Sequence, residues 1–242
     1  MSFHPEKCSV LRISTSKRYR RETHYYLHGQ RLQVVDSAKY LGVTLSEDLQ
    51  WEKHTQATAA KASRSLGFLR RNLRDCSREV RKSTYQTLVR PSMEYAASAW
   101  DPYKAEDINR LDKVQRRAAR FVCNDYKDRT PGCVTAMINR IGWEHLQDRR
   151  RQLRLIMLFK IKHWLVDFPE ASSIVKSNDR RTRGSQRLFQ PFTNVTVYKQ
   201  SFFPRTIWDW NNLPTSTSDI TDIEAFKAAL HTAVAAPPMS SV

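Results

Sequence analysis

The stretch KYLGVTLSEDLQWEKH, Lys39 to His54, decides how the rest of the chain is read, because two periodicities meet inside it. Its first half alternates around a Leu-Gly-Val core in the period-two manner of a strand, and its second half opens a segment with helical spacing. Upstream, SVLRIS from Ser9, HYYL from His24 and RLQVV from Arg31 alternate in the same way, with His28-Gly29-Gln30 as a turn. This predicts a small antiparallel β region ending near Leu45. Such short strands bury little surface by themselves, so the region is expected to lean on helices or on other protein. The pair Glu47-Asp48 stands where a helix would start and is assigned to the helix macrodipole.

Downstream, Ala59, Ala62, Leu66, Leu69 and Leu73 form one apolar stripe, while Lys61, Arg64 and Arg71, with Phe68 among them, lie opposite. Ser77 is a candidate N-cap for a helix carrying Val80, Tyr85 and Leu88, which should bend or stop at Pro91. A third helix, Glu106 to Cys123, sets Ile108, Leu111, Ala118 and Val122 against Arg110, Lys113, Arg117 and Arg120, with Arg116 on the flank. A fourth, Trp143 to Val166, carries Trp143, Leu146, Leu153, Met157 and Trp164, and its second half, apolar nearly all round, is expected to be buried. KSNDRRTRGSQR, Lys176 to Arg187, reads as a basic linker, VTVY after it as a strand, and SFFPRTIWDWNNLP, Ser201 to Pro214, as a short aromatic helix. Thr221 with Glu224 forms a capping box for a last helix, and the tail AAPPMSSV is expected to be disordered. The fold class is α+β, mainly helical after its start, with segments 1–45, 46–175, 176–200 and 201–242.

The 242 residues, 40% apolar, suffice for a buried core. Against 24 acids stand 41 lysines and arginines, a net +17, which attracts polyanions and makes nucleic acid the first partner to test. Cys8, Cys76, Cys123 and Cys133 show no CxxC pair and read as reduced intracellular thiols; nucleus and cytoplasm are not distinguished. Cys123, Cys133 and His145 lack the number and spacing of a structural zinc set, so no metal is expected. No run approaches the roughly 18 apolar residues of a membrane span, and no membrane partner is expected.

Catalysis needs converging groups, and none is visible. Metal-dependent phosphoryl transfer wants paired carboxylates on a turn between strands, and no aspartate here has that setting. GxSxG, the P-loop, GxGxxG and HExxH are absent. The seven histidines are scattered; His54, beside Trp51, is a candidate for contact with a phosphate or with the β hinge. The two helices with arginines opposite an apolar stripe suit contact with a phosphate backbone. Phe68, Tyr126 and Trp208 offer faces for base stacking, although Trp208 is assigned with Trp210 to packing.

Four ordered blocks carry a resemblance. FHPEKC, Phe3 to Cys8, resembles the segment after the catalytic aspartates in reverse transcriptases of jockey-like non-LTR retrotransposons. KYLGVTLSEDLQWEKH looks like their primer-grip hinge and first thumb helix, and RLDKVQRRAARFV, Arg110 to Val122, and SFFPRTIWDWNNLP are similar to two later signatures. The likeness runs from Phe3 to about Leu230. It implies a palm remnant over 1–45, a thumb-like region over 46–175 and a C-terminal module, with the palm aspartates expected upstream of Phe3. The chain alone is therefore expected to be inactive as an RNA-directed DNA polymerase, with Mg²⁺ a cofactor of the complete enzyme only. By resemblance Gly42 lets the backbone approach a nucleic-acid strand, Tyr40 and Leu41 brace it, and Trp51 anchors the thumb helix. Lys7 would be the general acid of the complete enzyme. RNA and DNA are the expected partners, through Lys7, Tyr40, Leu41, Gly42, Trp51, His54, Lys61, Arg64, Arg71, Arg110, Lys113, Arg117 and Arg120. The alternative is a non-enzymatic basic helical scaffold that binds acidic proteins, distinguished by weak salt dependence.

Overall fold

The structure, a computed structural model, describes residues 4–14, 23–169 and 187–234, with side chains through 232. Most of the expected linker and the expected disordered tail lie outside the described residues, as does Phe3. The described residues are mainly helical with a small β region at the start, an α+β arrangement.

Among the described residues six short strands make three two-stranded sheets. Strands β2 (Tyr26–Leu27) and β3 (Gln30–Arg31) form a hairpin turned by His28 and Gly29, at φ 48° and 78°. Strands β5 (Ser37–Tyr40) and β6 (Val43–Ser46) form a second, turned by Leu41 and Gly42 at φ 45° and 86°. Two left-handed residues in a two-residue loop give the turn whose twist matches that of the strands. The third pair departs from the all-antiparallel expectation: β1 (Ser9–Leu11) runs parallel to β4 (Gln33–Val35), Ser9 opposite Gln33. Alternation specifies which side of a strand is buried, not its partner or direction, and residues 12–32 are long enough for the crossover that parallel strands require.

Helix α1 (Glu52–Asn72) has Trp51 at its N-cap, where the period changes to helical, and the acidic pair lies before it. Asp48 instead accepts the Gln50 N–H at 2.9 Å in a side-chain-closed turn, leaving Glu52 as the first-turn acid. Ser77 caps α2 (Arg78–Thr84) by accepting the Val80 N–H at 3.3 Å. Pro91 neither stops nor sharply ends this rod. A π turn at Tyr85–Val89 carries it into α3 (Arg90–Glu94), with Arg90 N–H bonded to Tyr85 O, so the ladder has already shifted where proline lacks a donor. Helix α4 (Ala105–Cys123) ends on Asn124 in the left-handed region. A helix absent from the sequence reading, α5 (Cys133–Ile141), lies between Gly132 and Gly142, both at positive φ. Then come α6 (Leu146–Lys162), α7 (Thr196–Lys199), α8 (Phe202–Asn211), α9 (Thr215–Ser218) and α10 (Ile223–Val234).

Three expectations change here. VTVY is not a strand; its residues enter the helical turn α7. The fourth helix is shorter than Trp143 to Val166: Trp143 precedes it and stacks on Tyr85 at 4.4 Å, while Trp164 follows it and is 67% exposed. The last helix is capped by Asp222, which accepts the Ala225 N–H at 2.8 Å, and not by Thr221.

Two apolar clusters hold the described residues together. The larger joins α1, the α2–α3 rod, α4 and α5 through side chains such as Leu66, Tyr85, Met93, Leu111, Phe121 and Ile138, and reaches Leu146. The smaller joins the second half of α6 to α8 and α10 through Leu155, Phe159, Ile207, Trp210 and Phe226. Helix α6 thus serves both. Between its two apolar ends lie Arg150 and Arg154, 0% and 3% exposed.

Candidate nucleic-acid interface

Helices α1 and α4 pack side by side and run in the same direction. Near their starts Tyr103 donates its hydroxyl to Gln50 at 2.9 Å, and near their ends the Arg70 guanidinium lies 4.9 Å from the Tyr126 ring centre. The inward side of α1 carries Thr55, Thr58, Ala59, Ala62, Leu66 and Leu69, all buried. At 100° per residue, Ala57, Lys61, Arg64, Phe68 and Arg71 fall together on the opposite side, and all are exposed. Glu52 is the sole acid of this 21-residue helix. No carboxylate within salt-bridge reach is found for Lys61, Arg64 or Arg71 among the described residues. This face therefore projects uncompensated charge into water.

The cations of α4 divide. Lys113, Arg116 and Arg117 are exposed. Arg110 is bound to Asp107 at 2.9 Å. Arg120 turns toward the loop after α4, donating to Asp125 O and reaching Cys133 Sγ, each at 3.4 Å. Arg110 and Arg120 thus have partners within the chain. Lys7 is exposed in a 3₁₀ turn at Pro5–Lys7, apart from these helices in sequence and element.

The hinge is built inward. Gly42 faces protein: a Cβ there would stand 3.2 Å from Tyr95 Cε1, and Tyr95 donates its hydroxyl to Leu41 O at 3.0 Å. Both the positive φ and the overlying ring require glycine. Tyr40 and Leu41 are 65% and 74% exposed at the hairpin tip. Trp51 is half-buried against the larger cluster.

His54 is buried, so the phosphate contact does not fit; the contact with the β hinge does. Its Nδ1 accepts the Thr44 N–H at 3.2 Å, which leaves the proton on Nε2, 3.4 Å from Thr58 Oγ1. The ring meets Trp100 edge-on at 4.3 Å. Desolvation, with Lys39 adding repulsion, pushes its pKa down to about 4, so the ring is neutral. A neutral, buried imidazole pins β6 to α1.

The chain's other charge concentration was missed by the sequence reading. Asp101 lies 2.9 Å from Arg150, 3.0 Å from Arg154 and 3.2 Å from Arg205. Asp209 lies 2.9 Å from both Arg151 and Arg154. These pairs tie the segment after Trp100 to α6 and α8 at the junction of the two apolar clusters. Burial pulls the Arg154 pKa below the usual guanidinium range, opposed by Asp101. A signal was present: Leu146, Arg150, Arg154 and Leu158 recur every four residues, which sets two arginines inside an apolar stripe. Trp208, assigned to packing, is 55% exposed, whereas Trp210 is buried.

Among the described residues no cluster of His, Cys, Asp or Glu could hold a metal ion, and no helix is long and apolar enough to cross a membrane. Comparison with protein-family models, with curated proteins and with solved structures finds no match.

Proposed function

We propose that this chain holds nucleic acid without regard to sequence, as the thumb-like part of a reverse transcriptase similar to those of jockey-like non-LTR retrotransposons, and does not itself carry out polymerisation. The observation that carries the reading is the outer face of α1, where Lys61, Arg64 and Arg71 stand exposed on a helix whose sole acid is Glu52. Lys113, Arg116 and Arg117 of the adjacent α4 add exposed charge. Arginines and lysines so placed gain by releasing the counterions condensed on a phosphate backbone, and this gain carries no sequence information. The resemblance of four ordered blocks supplies the family, and the internal ion pairs of Asp101 and Asp209 engage Arg150, Arg151, Arg154 and Arg205 within the fold.

Fluorescence anisotropy with a labelled RNA–DNA hybrid at low salt tests this. Saturable binding that weakens steeply as salt rises is expected. No affinity at low salt removes the nucleic-acid reading, and binding to acidic proteins that survives moderate salt would favour the scaffold instead. Primer extension by the chain with Mg²⁺ and dNTPs would contradict the non-polymerising part.

A further inference from the structure

We propose that Phe68 is a stacking platform for an unpaired base, so that the outer face of α1 prefers single-stranded nucleic acid or strand ends to intact duplex. This rests on the nucleic-acid reading above and names its substrate class.

Phe68 is 58% exposed near the C-terminal end of α1 and belongs to neither apolar cluster. Arg64, one turn before it, and Arg71, one turn after it, are exposed and outside the ion pairs of the described residues. A ring between two phosphate-binding groups is the arrangement that holds a backbone on both sides of a base. The surroundings are low. Ser65 lies one turn before the ring and Gly67 adjoins it, at a helix-interior position where glycine costs stability. The Arg71 guanidinium lies back over Gly67, where a Cβ would meet Nη1 at 3.7 Å. The backbone under the ring is held by Asn72, whose amide donates to Phe68 O at 2.8 Å. Tyr126 and Trp208, the other two candidate stacking rings, lack this setting. Tyr126 is already covered by Arg70, and Arg205, one turn before Trp208, is engaged with Asp101.

In a duplex every base is stacked on its neighbours, so a ring on the protein surface gains nothing unless a step is opened, at some energetic cost. In a single strand the same ring stacks freely, and stacking tolerates any base because each has a π face. Discrimination between the two forms follows from Phe68, while the cations serve both.

The test uses the full chain with three probes: labelled oligo(dT), an abasic strand of equal length, and a covalently closed circular DNA duplex. Phe68→Ala should weaken oligo(dT) binding about five- to a hundredfold. It should leave the duplex and abasic strand nearly unchanged. Phe68→Trp should retain the oligo(dT) affinity, and Phe68→Leu should behave like Phe68→Ala. Wild-type binding with Phe68→Ala losing nothing, or losing equally on all three probes, overturns the proposal and leaves the nucleic-acid reading standing. Failure of the wild type to bind any probe overturns both.

Discussion

Replacing Asp101 by Asn tests what joins the two halves of the molecule. The substitution keeps the shape of the side chain and removes its charge from a position only 4% exposed, where Arg150 (0%), Arg154 (4%) and Arg205 (17%) converge. Arg154 retains Asp209, but Arg150 has no other ion pair among the described residues, and its two terminal nitrogens already lack hydrogen-bond acceptors there. Stripping one partner from a buried pair strands the opposite charge in a medium that solvates it poorly, at roughly 3–5 kcal/mol. For a chain of this size each kcal/mol shifts the melting temperature by about 2–4 °C, so Asp101→Asn should melt roughly 6–20 °C below wild type. Thermal and urea unfolding followed by tryptophan fluorescence reads this directly, because Trp100 and Trp210 are each 1% exposed in the two clusters that Asp101 connects. Asp36→Asn is the matched control, since its partner Lys53 and its own carboxylate stand in water and the melt should not move. If Asp101→Asn melts together with wild type, the network contributes nothing and the claim that it binds the two halves is wrong.

Other consequences can be checked in the same preparations. Because His54 has a pKa near 4 in the fold and about 6.5 when unfolded, the unfolded chain binds more protons between those values. Stability is complete above pH 6.5 and falls by roughly 2–3 kcal/mol as pH drops to 4; an NMR titration should place the His54 midpoint near 4, and His54→Asn should remove this part of the slope. A His54 midpoint above 6 would refute the burial argument. Gly42→Ala should destabilise by roughly 1–3 kcal/mol, from strain at positive φ and contact with Tyr95. Truncating Tyr95 first should reduce that cost, and equal costs in both backgrounds would discount the contact. Gly67→Ala, with ordinary φ and only the flexible end of Arg71 at 3.7 Å, should stabilise by about 0.5–1 kcal/mol in urea melts.

The sequence made some of this architecture legible and left the rest hidden, for physical reasons. Helices α1 and α4 were readable because their apolar residues recur at helical period over five turns, and that same period placed Lys61, Arg64, Phe68 and Arg71 on the outer face. The parallel pairing of β1 with β4 was not, because alternation fixes faces and leaves partners open. Helix α5 was passed over because nine residues give the period too little length, although Pro131-Gly132 and Gly142 mark its ends. The Val195–Tyr198 stretch was misread from β-branched content, which tertiary context overrode. The buried arginines of α6 required knowing that Asp101, 49 residues earlier, and Asp209, 55 residues later, would meet them. His54 and Gly42 carried the right signal, a special residue at the hinge, and Thr44 lies in the same stretch, yet their partners Trp100 and Tyr95 are in other parts of the protein.

The central claim is that the uncompensated cations of α1 neutralise phosphates, and the salt dependence of binding tests it most directly. Plotting log affinity against log salt concentration for duplex DNA, the triple variant Lys61→Gln, Arg64→Gln, Arg71→Gln should have a slope shallower than wild type by about 2.7. Its melting temperature should be unchanged, because the three side chains are exposed. An unaltered slope in a folded triple variant would mean that these side chains face only water, and the account would fail.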